Sequence, residues 1–314
     1  MAQQGLLSRS PPSARAGFVA PRQRIEIPAR ASFGRTMRQC APLISLIHPR
    51  ASASLGIVED GVKDESENLT LDAIRDSLIQ QEDNIIFSLI ERAQYKMNTR
   101  TYDPNRFRIP GFDGSLVEFM LKETECLHAK VRRYCSPDEH AFFPDDLPEP
   151  ILPPLEYPKV LHQAAKAINI NTRIWKMYYS NLLPSFVSDG DDGNYGSTAA
   201  CDVKCLQALS KRIHYGKFVA EAKFRESPHL FEPHIRAQDP QELMRLVTFE
   251  SVEASVQKRV EHKARTYGQE IDANGTKPTP LYKVEPKLVA RLYGDWVMPL
   301  TKDVQVEYLL RRLD

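Results

Sequence analysis

From Leu71 onward the apolar residues recur at intervals of three and four, and no segment alternates with period two over more than a few residues. Leu71, Ile74, Leu78, Ile85 and Leu89 make one such stripe, with Asn68 or Thr70 as its cap and Asp72 in its first turn. It runs to about Tyr95, with Glu82 as its one interruption. A second helix is predicted from Ser115 to about Tyr134 on Leu116, Phe119, Leu127 and Val131, ending on Arg132-Arg133. Pro240 opens another long helix to about Tyr267, with Val252, Val256, Val260 and Ala264 on one face. Pro286 starts a helix to about Trp296, and Pro299 restarts it toward the C-terminus. Shorter helices are predicted near 159–168 and 172–183, and Ser136-Pro137-Asp138-Glu139 has the form of a capping box. The expected fold is all-α, a bundle of about ten to twelve helices around long amphipathic ones.

Charge is unevenly spread. Residues 1–55 hold eight arginines, no lysine and one acid, Glu26, so the rest carries 34 basic against 40 acidic residues. Such an Arg-rich, Ser-rich, acid-poor start predicts an organelle transit peptide. The expected division is a leader and linker over 1–57 and one all-helical domain over 58–314. A mildly acidic body argues against nucleic-acid binding, and no apolar run reaches the length of a membrane span. Cys40, Cys126, Cys135, Cys201 and Cys205 form no C-x-x-C and have no histidines at zinc spacing, so no metal site is expected. Cys201 and Cys205, one turn apart, read as packing residues of a reduced compartment.

The turn-rich stretch Ser188–Ser197 invites a calcium-loop reading. That reading fails on Asn194 at the sixth position and Ala200 at the twelfth, counted from Asp189. Directly after it, Cys201–Phe224 is expected to be one long helix. Arg212 and Lys223 are 11 residues apart, which sends both from the same face with Cα atoms about 16 Å apart. A solvated basic face would look the same. Gly216 between them costs about 1 kcal/mol in a helix interior and is best tolerated where something must approach closely. Arg75 adds a cation from another helix, Thr301 and Gln305 share a face one turn apart, and Glu253 lies in a helical stripe. With no nucleophile motif, dinucleotide fingerprint or metal signature, these residues suit a small polyanion. Action would come from positioning and charge stabilisation, without a cofactor.

The blocks LTLDAIRDSLIQQEDNIIFSLIER (69–92), VRRYCSPDEHAFFPD (131–145), DGDDGNYGSTAACDVKCLQALSKRIHYGKFVAEAKF (189–224) and PLTKDVQVEYLLRRL (299–313) resemble the all-helical eukaryotic chorismate mutases. The leader resembles that of a plastid member. The resemblance implies the Claisen rearrangement of chorismate to prephenate, toward phenylalanine and tyrosine, in a homodimer. By family position Arg75 and Arg212 hold the two substrate carboxylates. Lys223 reaches the ether oxygen and a carboxylate, Glu253 accepts from the ring hydroxyl, and Thr301 sits beside the pocket. Gln305 stands where the fungal pattern has a glutamate that must be protonated to donate to the ether oxygen. Phe249 replaces an Asn, and Ala200 a Thr of the effector site. The resemblance also implies an effector site for tyrosine, phenylalanine or tryptophan at the dimer interface. It would use Arg132, Arg133, Asn194, Gly196 and Ser197. A catalytically silent helical sensor of aromatic amino acids is the rival. It would not need Arg75, Arg212, Lys223 and Gln305 together.

Overall fold

The computed structural model describes residues 70–155, 157–270 and 281–314. The expected leader and linker, Cys40 and Asn68 lie outside the described residues. Among the described residues twelve α-helical segments carry the fold, as the helical periodicity predicts. They are α1 (Leu71–Arg92), α2 (Pro104–Phe107), α3 (Leu116–Lys130), α4 (Asn171–Met177), α5 (Leu183–Phe186) and α6 (Tyr195–His214). The chain continues through α7 (Gly216–Glu226), α8 (Pro228–Arg236), α9 (Pro240–Val247), α10 (Glu250–Gly268), α11 (Pro286–Leu292) and α12 (Met298–Leu310). Among the described residues the one sheet is a two-residue antiparallel pair, Gln269–Glu270 with Leu281–Tyr282.

Thr70 begins α1, its Oγ1 accepting from the Ala73 amide at 3.2 Å. Ile74, Ile85, Ile86 and Leu89 are buried, and α1 lies along α6. Each such side chain taken from water contributes about 1.5–3 kcal/mol. The second helix departs from the expected stripe. Its buried face is Val117, Leu121, Glu125 and Ala129, whereas Leu127 and Val131 are exposed. Glu125 is the reason: its carboxylate accepts the amides of Phe142 at 2.8 Å and Phe143 at 3.0 Å, so a charged residue occupies the inward position. This helix also stops earlier than expected, at Lys130. Arg132 takes a left-handed φ of 68°, so the two arginines lie beyond the helix end. Its capping box is Ser115 with Glu118, and Ser136–Glu139 makes a short turn.

Two long helices are each divided. The 201–224 segment breaks at Tyr215, giving α6 and α7. Gly216 there lets α12 press in, since a β-carbon at this residue would stand 2.6 Å from the Thr301 carbonyl oxygen. The close approach is a neighbouring main chain. The 240–267 segment is divided at Thr248 and Phe249, both extended. Thr248 Oγ1 donates back to the Met244 carbonyl at 2.8 Å, closing α9. A helix end leaves carbonyls without intrahelical partners, and that of Val247 becomes available to the site described below.

Two π turns, Tyr178–Leu182 and Tyr293–Val297, each end two residues before a proline, Pro184 and Pro299. A proline within a helix donates no N–H and crowds the carbonyl four residues back. The wider turn accommodates both, so α11 runs into α12 without the interruption expected at Pro299.

Buried polar clusters pin the helices. The Asp202 carboxylate on α6 accepts from Arg92 Nε, Tyr102 OH and Tyr178 OH, each at 2.6 Å. Glu221 on α7 takes Tyr308 OH at 2.5 Å and Arg312 Nε at 2.6 Å, fastening the C-terminal helix. Lys217, one turn before Glu221 on α7, donates to His140 Nε2 and to the carbonyls of Ala165 and Ile168.

Candidate active site

One cavity of about 520 Å³ lies among α1, α7, α10 and α12, with Arg212 of α6 reaching it. Its size suits a small organic ligand. All six expected catalytic residues line it: Arg75, Arg212, Lys223, Glu253, Thr301 and Gln305. Arg212 and Lys223 keep a common face despite the break at Tyr215. Apolar walls come from Leu71, Ile74, Val219 and Val256. Four cations, Arg75, Arg212, Lys223 and Lys302, face two carboxylates, Glu226 and Glu253. The cavity is therefore charged for a dianion.

Arg212 is 4% exposed and forms no ion pair among the described residues. Its Nη1 donates to Thr301 Oγ1 at 3.4 Å, its guanidinium lies 5.9 Å from the Tyr293 ring centre, and Nε finds no partner. Burial pulls this guanidinium below its ordinary pKa. A buried cation with unused donors at a cavity wall is a receptor for a carboxylate.

Lys223 Nζ donates to the free Val247 carbonyl at 2.9 Å and to Gln305 Oε1 at 3.2 Å, and sits 4.8 Å from the Phe249 ring centre. Burial brings its pKa down to about 8. Glu253 opposes that fall, and Lys302 and Arg75 add to it. Gln305, 4% exposed, donates from Nε2 to the Thr301 carbonyl at a long 3.4 Å. Thr301 Oγ1 donates to the Val297 carbonyl at 2.6 Å. Arg75 is at the mouth, half exposed and 2.6 Å from Asp72.

Phe249 begins α10 without a side-chain cap, and its ring, half exposed, shields Lys223. Sequence reasoning missed Lys302, whose Nζ is 2.8 Å from Glu253 Oε1 across the cavity wall. Its neighbour Thr301 was legible by helical spacing, but nothing local reveals a partner on α10.

The expected effector residues fall in two places. Arg132 donates to the Pro153 carbonyl. Arg133 holds Glu139 at 3.0 Å and Gln207 at 3.1 Å, and both arginines line a cavity of about 160 Å³ with Tyr157 and Lys211. Asn194, Gly196 and Ser197 are exposed around the start of α6. Arg133 meets α6 at Gln207, ten residues beyond Ser197 or about 15 Å along the helix. A single chain does not bring the two groups together.

The family profile described as Chorismate mutase type II matches residues 194–306. The chain is 63% identical over 266 residues to chloroplastic chorismate mutase 1 of Petunia hybrida, covering 84% of this chain and 82% of that protein. Among solved structures, AtCM1 with tyrosine bound in its allosteric site has 65% identity and a TM-score of 0.73, over 80% of this chain and 99% of that one. The Aro7p chorismate mutase of Candida albicans in complex with L-Trp has 42% identity and a TM-score of 0.76, over 79% and 94%.

Proposed function

The chain belongs to the type II chorismate mutases, as a plastid-type plant member, and from that premise we propose that the 520 Å³ cavity is where chorismate becomes prephenate. Chorismate carries two carboxylates, and its rearrangement breaks the ether C–O bond as a C–C bond forms. Negative charge grows on the ether oxygen. The observation that carries the reading is the pairing of Arg212 and Lys223: one buried and one half-buried cation without a carboxylate in ion-pair range among the described residues, on one cavity wall.

Arg212 takes one carboxylate and Arg75, at the mouth, the other. Lys223 donates to the ether oxygen and to a carboxylate. Gln305 turns its amide from the weak Thr301 contact to the same oxygen, and Thr301 steadies Arg212. Glu253 accepts from the ring hydroxyl. Preorganised donors aimed at developing charge in a water-poor cavity supply the rate, and the folded enolpyruvyl arm supplies the geometry. Following chorismate consumption by the purified chain tests this. Turnover is expected, and a folded sample that leaves chorismate unchanged overturns it.

The same reading includes regulation in a homodimer. Arg132 and Arg133 of one copy and the Asn194–Ser197 turn of a second copy form the site for tyrosine, phenylalanine or tryptophan. Support comes from the separation of the two groups within one chain and the exposure of that turn. Guanidinium groups and helix-terminal amides suit an amino-acid carboxylate. The mutase unit begins near residue 58, after a plastid leader. Replacing Arg132 by Ala should abolish the response to these amino acids, and an unchanged response overturns the assignment.

A further inference from the structure

The start of α10 is loosely held. Phe249 offers no capping bond, and Glu250, Ser251 and Val252 are exposed. Glu253, one turn in, must nonetheless present a carboxylate at a fixed place if it is to receive a hydroxyl. The contact that fixes it comes from α12: Lys302 Nζ is 2.8 Å from Glu253 Oε1, with the side chains only 18% and 27% exposed. Oε2 makes no hydrogen bond among the described residues.

We propose that Lys302 is a positioning residue of this active site, clamping Glu253 through Oε1 so that Oε2 meets the substrate's ring hydroxyl. The inference rests on the cavity being the mutase site. The ammonium has a second effect there. It offsets the carboxylate's repulsion of a dianionic substrate, which two unshielded acids in the lining, Glu226 and Glu253, would otherwise oppose.

Lys302 also acts on Lys223. The charged or polar groups that share the cavity with Lys223 include Arg75 from α1, Arg212 from α6, Glu226 on its own helix, Glu253 from α10, and Thr301, Lys302 and Gln305 from α12. Removing the Lys302 charge deletes a cation that weakens protonation of Lys223 and releases Glu253 to strengthen it. Both changes move the loss of the Lys223 proton to higher pH.

The test is steady-state kinetics from pH 6 to 10 on the full chain and on Lys302→Gln, Lys302→Arg, Glu253→Gln and the Lys302→Gln/Glu253→Gln double variant. Thermal midpoints of all variants accompany the kinetics. Lys302→Gln should lower kcat/KM by about tenfold or more and shift the alkaline limb upward, with the thermal midpoint kept. Lys302→Arg should retain most of the activity. In the Glu253→Gln background the same replacement should cost far less, because the residue it positions is already gone. Unchanged kcat/KM with an unshifted limb overturns the proposal, and so does a loss of equal size in both backgrounds. Should Lys302→Gln not fold, Lys302→Met is judged by the same two readouts. An inactive but folded parent chain would instead overturn the mutase assignment of the cavity.

Discussion

The Thr301 carbonyl oxygen stands 2.6 Å from where a β-carbon on Gly216 would be, with Thr301 Cγ2 at 3.1 Å. α7 and α12 meet there without room for a methyl group. In an open helix, Gly→Ala would stabilise by about 1 kcal/mol. Here backbone must move, at an overpacking cost of about 1–3 kcal/mol. Gly216→Ala should therefore lower the thermal midpoint. It should also lower kcat, because Thr301 and its contact to Arg212 move with α12. A midpoint equal to or above the parent's would contradict the contact.

In the proposed role Lys223 must be protonated to donate to the ether oxygen, and burial brings its pKa down to about 8. Rate should therefore fall as pH rises through that value in kcat/KM, which reports the free enzyme. In kcat the limb should lie higher, since a bound dianion favours the ammonium. Lys223→Ala should lose roughly 10²-fold or more and remove the limb. A flat kcat/KM profile from pH 7 to 10 in the parent would refute this role.

At Gln305 a carboxamide donates at every pH, so the parent's kcat should stay level between about pH 5 and 7, where a raised carboxyl titrates. Gln305→Glu should be active only toward low pH. Lys223, 3.2 Å from the replaced oxygen, favours the ionised carboxylate, which cannot donate. Rates measured across that range distinguish the two, and a parent rate collapsing there would refute the assignment.

Asp202 is the acceptor for two buried donors, Arg92 of α1 and Tyr178 of the π turn, and for the half-buried Tyr102. Asp202→Ala leaves Arg92, itself 0% exposed, without its carboxylate. The cost should be about 3–5 kcal/mol, read from denaturant midpoints, with kcat per folded molecule retained. A loss under 1 kcal/mol would show that the cluster contributes little.

Much of the site was legible because its residues obey helical spacing. Arg212 and Lys223, or Thr301 and Gln305, need only their own segments to share a face. The long-range parts were not. Glu125 reads as a surface charge, yet two amides seventeen and eighteen residues away make it the inward residue of α3. That inverts the face expected from Leu127 and Val131. The division at Thr248 carried no glycine or proline to mark it, and its value lies in a carbonyl that a lysine on another helix uses. Lys302 was hidden for the same reason: its partner is on a different helix.

The π turn at Tyr293–Val297 sets the angular phase of everything after it. One residue more per turn than an α-helix advances the following segment by about 100°. Thr301 and Gln305 point at the cavity only with that advance counted. Deleting a single residue there would leave every catalytic side chain in the sequence and a regular helix in the fold. The last helix would be rotated, with its two polar residues turned away from Arg212 and Lys223. The lining of the cavity thus depends on an angular offset contributed by residues that do not themselves line it.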